Sequence, residues 1–408
     1  MFFIYLLTLI LPIVITVAFY TLAERKLIAA MQRRTGPNII GFWGLLQPFA
    51  DGLKAILKEQ FKPLRSVFYL FLFAPILTFF ISLLALNFIC FNFTRSYFDE
   101  YLNFFFFLSI SSFNVFGIIL AGWTSNSKYT LLGSLRAAAQ TFSFEMCFIT
   151  LLLPIFLLNS SFNLIDIVLY QQNYWNIFIF FPTTLYFFII LLAETNRTPF
   201  DLPEAEAELV AGYNLEYSAI NFALFFLGEY TNMLLNSCIF VIFFLGGWLI
   251  PSSFLLIINF IKIIFISILT NLPNILLFIS LSLLFNNNLN NLKSKYNKKF
   301  LNFLKNIIII FLLIFILFLL TYLITNNLIF FNIKVIFVST WFILVRAILP
   351  RYRFDQLMDL CWKKILPVSS SFFLFFIYII YIFNWFSYSL EIMNFKTKFL
   401  TIYFFKIS

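Results

Sequence analysis

Long apolar runs constrain this chain more than anything else in it. A helix needs about 20 apolar residues to cross a bilayer. Runs of that order fall at about 2–22, 67–93, 101–123, 137–158, 177–193, 219–246, 330–349 and 366–388. Two more, 253–285 and 301–325, flank an Asn/Lys-rich stretch at 286–299. In lipid the backbone must satisfy its own polar groups, which leaves helices or closed barrels. The alternating pattern of a barrel strand is missing, so the runs predict an all-α polytopic membrane protein. The first run lacks a basic leader and a small-residue cleavage site and reads as a retained span. Three segments follow: 1–250 with six spans, 251–329 as a hydrophobic insertion contributing two extra spans, and 330–408 with the last two spans and a tail.

Basic residues set the orientation. Arg25, Lys26, Arg33, Arg34, Lys54, Lys58, Lys62 and Arg65 follow the first span, Lys128 and Arg136 the third, and Arg197 the fifth. Arg346, Arg351, Arg353, Lys363 and Lys364 gather around the end of the seventh. If the spans alternate, these are most of the 27 basic residues and all share one face. Loops on the other face hold Arg95 and, over 159–176, no basic residue. The rich face is assigned to the inside. An even number of extra spans keeps Lys293, Lys295, Lys298 and Lys299 there too; Lys396, Lys398 and Lys406 fall outside. Since the basic residues form no patch interleaved with aromatics, the net charge of +10 points to topology and not to nucleic acid.

Residues 42–60 differ in kind. Trp43, Leu46, Phe49, Ala50, Leu53, Ile56 and Leu57 recur at helical spacing, with Asp51, Lys54, Lys58 and Glu59 opposite. That pattern predicts an amphipathic helix in the membrane interface, entered through a turn at Gly36-Pro37-Asn38.

Several chemistries are excluded. The chain has no His, which removes histidine-ligated haem, His-based metal sites and a His base. Its four Cys are far apart and lack CxxC spacing, so neither an iron–sulfur nor a zinc framework is expected. No nucleotide-binding glycine motif is present. If the protein serves redox chemistry, other subunits carry the electrons.

The charged residues that remain are the candidates for function, because charge at membrane depth is costly. Only 17 are Asp or Glu, yet Glu194, Asp201, Glu204, Glu206 and Glu208 cluster between two apolar runs. Asp201 and Pro203 signal a helix start, with Glu204 and Glu208 on one face and Glu206 displaced. Glu216 follows, while Glu145 and Glu229 lie within spans four and six. Clustered carboxylates with water can relay protons. Alternatively, 204–208 is a solvated helix start favoured by the dipole. A basic set surrounds Glu24, Arg25, Arg33, Arg34 and Arg346 through Asp355. Those arginines are either topology anchors or a charged cavity lining with Glu24, Asp51 or Asp355 as partners. The small-residue segment 121–145, including Ala137-Ala138-Ala139-Gln140, reads as close helix packing.

Six stretches together resemble one family: AERKLIAAMQRRTGPN (23–38), GLLQPFADGLK (44–54), GWTSNSKYTLLGSLRAAAQTFSFE (122–145), AETNRTPFDLPEAEAELVAGYNLEY (193–217), ALFFLGEYTNM (223–233) and RAILPRYRFDQLMDLCWK (346–363). The family is subunit 1 of proton-pumping NADH:ubiquinone oxidoreductase, respiratory complex I, of the mitochondrially encoded type. The resemblance covers about 2–250 and 330–388 and leaves out 253–325. The resemblance implies eight membrane helices and a quinone cavity opening near span one, the interfacial helix and span six. By the same resemblance, Glu24, Arg25, Arg34, Asp51, Arg346, Arg351, Arg353 and Asp355 belong to that cavity or its rim. Glu145, Glu194, Asp201, Glu204, Glu206, Glu208, Glu216 and Glu229 belong to a proton path. Ubiquinone would be the substrate and no cofactor or metal would bind this chain alone. FMN, iron–sulfur clusters and NADH would reside in partner subunits. The implied setting is the mitochondrial inner membrane, among the membrane and peripheral subunits of the complex and the lipid. The 63 Phe, with many Ile, Asn and Lys, fit an AT-rich organellar genome. A bacterial plasma membrane is the alternative. Rival functions are the membrane subunit of an ion-pumping hydrogenase, a free-standing ion transporter, or an inert anchor.

Overall fold

The computed structural model describes residues 2–64, 66–89, 102–172, 174–201, 212–250 and 327–382. Among them the chain is entirely helical. In order come α1 (Phe2–Met31), α2 (Gln47–Leu57), α3 (Phe68–Leu86), α4 (Asn103–Thr124) and α5 (Lys128–Asn159). The short α6 (Leu164–Tyr170) and α7 (Asn176–Ile179) lead into α8 (Phe181–Glu194). Then come α9 (Ala219–Phe244), α10 (Asn327–Ile348), α11 (Phe354–Asp359) and α12 (Leu366–Ile382). Each of the eight expected spans falls on these helices; five of the helices, and α11 with α12 taken together, are long and apolar enough to cross a membrane. The two further expected spans, at 253–285 and 301–325, lie outside the described residues.

The boundaries move for physical reasons. The fourth span begins at Lys128, not 137, because Ser127 is extended and the small and polar residues after it carry the helix on. The last span starts not at 366 but at Phe354, and α11 joins α12 through a π-helical turn, Leu360–Ile365. Such turns take up an extra residue within a helix. Here the turn sets Cys361 against α5, its sulfur 3.4 Å from that of Cys147. Trp362 Nε1 donates to Ser143 Oγ at 3.3 Å one residue later.

Two departures from plain spans position the site. The fifth span is broken at Phe180 between α7 and α8, and α8 ends after 14 residues at Glu194. A helix of that length covers about 21 Å, less than the hydrocarbon thickness of about 30 Å. The chain then runs as a loop through Asp201, mostly buried among the helices. Irregular backbone at such depth is tolerated where protein covers it. The second departure is α2, in which no residue is buried; Phe49, Leu53, Ile56 and Leu57 are all exposed. Among the described residues only Phe49 of this apolar face meets another ring, Phe19 of α1 edge-on at 6.2 Å, and the rest is open, as an interfacial helix requires. The helix is tied down on its polar side, where Arg25 of α1 meets Asp51 at 2.6 Å.

α9 is the central element: 72% of its apolar window is buried, against 17% for the last span. Around it the core is built of phenylalanine. Phe104 lies 4.5 Å from Phe156, Phe187 5.1 Å from Phe244, and Phe188 stacks on Phe342 at 5.2 Å between ring centres. With lipid as solvent such packing, not a hydrophobic driving force, holds helices together. The α4–α5 crossing is closest at Gly122, where a Cβ would come within 2.1 Å of Ser134 Oγ and 2.8 Å of the Thr130 carbonyl oxygen. Replacing Gly122 with valine should therefore force the helices apart at a cost of about 1–3 kcal/mol. The expected result is a lower thermal midpoint of the purified protein; an unchanged midpoint would mean the crossing is looser than described.

Candidate functional site

At the inner end of α1, Glu24 is 3% exposed. A carboxylate so placed needs charged or hydrogen-bonding partners, and three neighbouring segments supply them. Arg346 of α10 makes an ion pair with Glu24 Oε1, and Tyr230 of α9 donates its hydroxyl to Oε2. Arg197, from the loop after α8, brings Nη1 to 3.6 Å from Oε1. The Arg197 guanidinium then reaches onward, Nη2 lying 4.0 Å from Glu229 Oε2. It also sits 4.4 Å from the centre of the Tyr230 ring, a cation–π contact. Glu229 accepts a hydrogen bond from Tyr213 at 2.9 Å. Charges thus alternate along Arg346, Glu24, Arg197 and Glu229.

Glu229 also lines a cavity of about 70 Å³, with Glu145 of α5 and Glu194 at the end of α8. Asn114, Tyr213 and Asn236 add polar walls, and Asn236 Nδ2 lies 3.5 Å from Glu194 Oε2. The space is polar and suits a few water molecules. Three carboxylates of the expected proton path therefore share one compartment. They come from three helices and are far apart in sequence.

The loop that carries Arg197 is held at several points. Gln140 Nε2 donates to the carbonyls of Ala193 at 2.8 Å and Phe200 at 2.9 Å. Tyr352 N donates to the Pro199 carbonyl at 2.9 Å, and the Phe200 and Tyr352 rings stack. Beside them Arg351 Nη2 lies 2.9 Å from Asp201 Oδ2. Gln140 thus does more than the close packing expected of its segment.

The expected cavity residues fall into pairs. Besides Glu24–Arg346 and Arg25–Asp51 there is Arg353–Asp355 at 3.6 Å, well exposed. Arg34 is exposed. Asp201, grouped by sequence with the proton path, lies against Arg351 of the cavity set. Glu216, in the turn before α9, does not line the cavity. Glu204, Glu206 and Glu208 lie outside the described residues. By sequence Arg197 reads only as a topology signal, and neither Tyr213 nor Tyr230 stands out. The available signal is an arginine three residues from Glu194, flanked by apolar runs.

Comparison with known proteins gives the following. A family model described as NADH dehydrogenase matches residues 4–278 and 294–378. The likeness therefore reaches further into the segment between spans six and seven than the resemblance read from the motifs, which covers about 2–250 and 330–388 and leaves out 253–325. The chain is 43% identical over 369 residues to NADH-ubiquinone oxidoreductase chain 1 of Cyanidium caldarium, covering 90% of this chain and 88% of that one. It is 42% identical over 366 residues to the same chain of Arabidopsis thaliana, covering 90% and 93%. An NADH-quinone oxidoreductase subunit of Paramagnetospirillum magneticum is 42% identical over 360 residues, covering 88% and 86%.

Glu24→Gln should leave two guanidinium groups facing a neutral amide. Removing one member of a buried pair costs about 3–5 kcal/mol. The purified protein should show a lower thermal midpoint, and adding Arg346→Met should recover part of the loss, as a double-mutant cycle reads for coupled groups. Strictly additive effects would contradict the described pairing.

Proposed function

The chain belongs to the NADH dehydrogenase family, and from that premise we propose how its buried charges serve quinone reduction. It is a membrane subunit of NADH:quinone oxidoreductase, an enzyme complex whose redox centres lie in other subunits. On our reading Glu24, Arg25, Arg34, Asp51, Arg346, Arg351, Arg353 and Asp355 form or rim the quinone cavity. Glu145, Glu194, Asp201, Glu204, Glu206, Glu208, Glu216 and Glu229 form the path that couples its chemistry to proton movement. Ubiquinone is the substrate. Flavin, iron–sulfur clusters and NADH belong to partner subunits, and the setting is the mitochondrial inner membrane with the basic face towards the matrix. The AT-biased composition supports that compartment over a bacterial membrane.

One observation carries the reading: Arg197 is shared by Glu24 and Glu229. Reduction of a quinone adds two electrons and takes up two protons. Beside Arg346 and Glu24, the negative charge carried between electron arrival and proton uptake alters the balance on Arg197. A guanidinium does not give up its proton, so it responds by shifting its attraction between the two carboxylates. Glu229 then passes the change to Glu194 and Glu145, which line the same cavity. No bond to carbon forms or breaks on this chain. Its work is to orient the quinone, keep charge paired in a medium of low dielectric, and hand protonation along.

Two experiments test this. Arg351→Ala should slow NADH:quinone reduction at least about tenfold, equivalent to about 1.4 kcal/mol, while electron transfer to ferricyanide persists. Loss of both activities would mean failed assembly. Glu→Gln changes at Glu194, Glu204 and Glu206 should abolish proton pumping by the reconstituted complex, and retention of full pumping with full quinone reduction would defeat the coupling role.

A further inference from the structure

Lys334 lies seven residues into α10 and is 7% exposed. Among the described residues no carboxylate pairs with it. Its ammonium donates instead to three backbone carbonyls beyond the end of α9: Leu245 at 2.6 Å, and Gly247 and Leu249 at 2.9 Å each. That uses all three of its donors. The charge also sits 4.5 Å from the Trp175 ring centre and 4.3 Å from that of Phe330.

Buried carbonyls need partners, and the last turn of α9 leaves further acceptors open. Part of the need at α9 is met locally. Gln171 Nε2 donates to Ile242 O at 2.8 Å and Asn176 Nδ2 to Phe243 O at 2.9 Å. Gly246 and Gly247, both at positive φ, fold the chain back so that the next carbonyls converge. Lys334 closes that remaining set, and a cation there also suits the negative end of the helix dipole.

The same two helices are joined again through Glu24, which binds Tyr230 near the middle of α9 and Arg346 near the end of α10. The pair is thus tied at two levels, by Lys334 and by Glu24. Lys334 and Arg346 are 12 residues apart, about 18 Å along the helix. Over that length a tilt of about 5° moves the arginine by about 1.5 Å, and misplacements of that size have large effects on reaction rates.

We propose that Lys334 is a positioning residue for the quinone reaction: its charge on the carbonyl end of α9 fixes α10, and through α10 the place of Arg346 on Glu24. The inference rests on the quinone reading above. The test uses the intact complex carrying Lys334→Met, which keeps length and loses charge, and Lys334→Arg, which keeps charge. Flavin content and NADH:ferricyanide activity report assembly; KM and kcat for a short-chain quinone report the site. Lys334→Met should assemble and raise the quinone KM five- to tenfold, while Lys334→Arg stays within twofold of wild type. Wild-type kinetics in assembled Lys334→Met overturns the inference, as does equal impairment by both substitutions. If Lys334→Met fails to assemble, Trp175→Leu decides the matter. It leaves the lysine in place, removes the ring beneath it and should raise KM two- to threefold, and an unchanged KM overturns the inference. A wild-type complex without inhibitor-sensitive quinone reduction would instead bring down the functional reading itself.

Discussion

The structure turns on one carboxylate. Glu24 is held at the inner end of α1 by a guanidinium from α10, a guanidinium from the loop after α8 and a phenol from α9. In water such contacts would be worth little; away from water each member makes the others tolerable. Four segments that are distant in sequence are thereby brought to one point, and the loop 195–201 gains the reason for its course. α8 stops short, the loop turns inward, and Arg197 fills the gap between Glu24 and Glu229.

That arrangement gives a continuous polar route through a core otherwise made of phenylalanine rings. Neighbours alternate in sign from Arg346 to Glu229, and beyond Glu229 come the carboxylates of one small compartment. Charge changes can be passed along such a series without any large motion of the backbone, because each step needs only a redistribution among fixed partners.

Much of this is legible in the sequence. Apolar run lengths locate the spans, since a bilayer demands about 20 residues whatever the fold, and helical spacing in 42–60 exposes the interfacial helix. Charge next to apolar sequence singles out Glu24, Glu145, Glu194 and Glu229, and the arginines at span ends find the partners expected for them, Glu24, Asp51 and Asp355. What stays hidden depends on contacts between distant segments. Arg197 resembles any loop arginine until the loop is seen to lie inside the protein. Lys334 resembles a stray charge near a span end, and its role needs the carbonyls of another helix. Asp201 sits in an acidic stretch, but its partner Arg351 is 150 residues away. The π turn at Leu360–Ile365 leaves no mark on hydropathy at all.

The compartment shared by Glu145, Glu194 and Glu229 measures about 70 Å³, whereas sites for organic ligands run from about 300 Å³ upward. No quinone headgroup, inhibitor or drug fragment fits there. The space suits only a few water molecules, so movement within it depends on how quickly they and the side-chain amides reorient. Its function is open to genetics and isotope substitution, and a single added methyl group in its walls is a more incisive reagent than any compound.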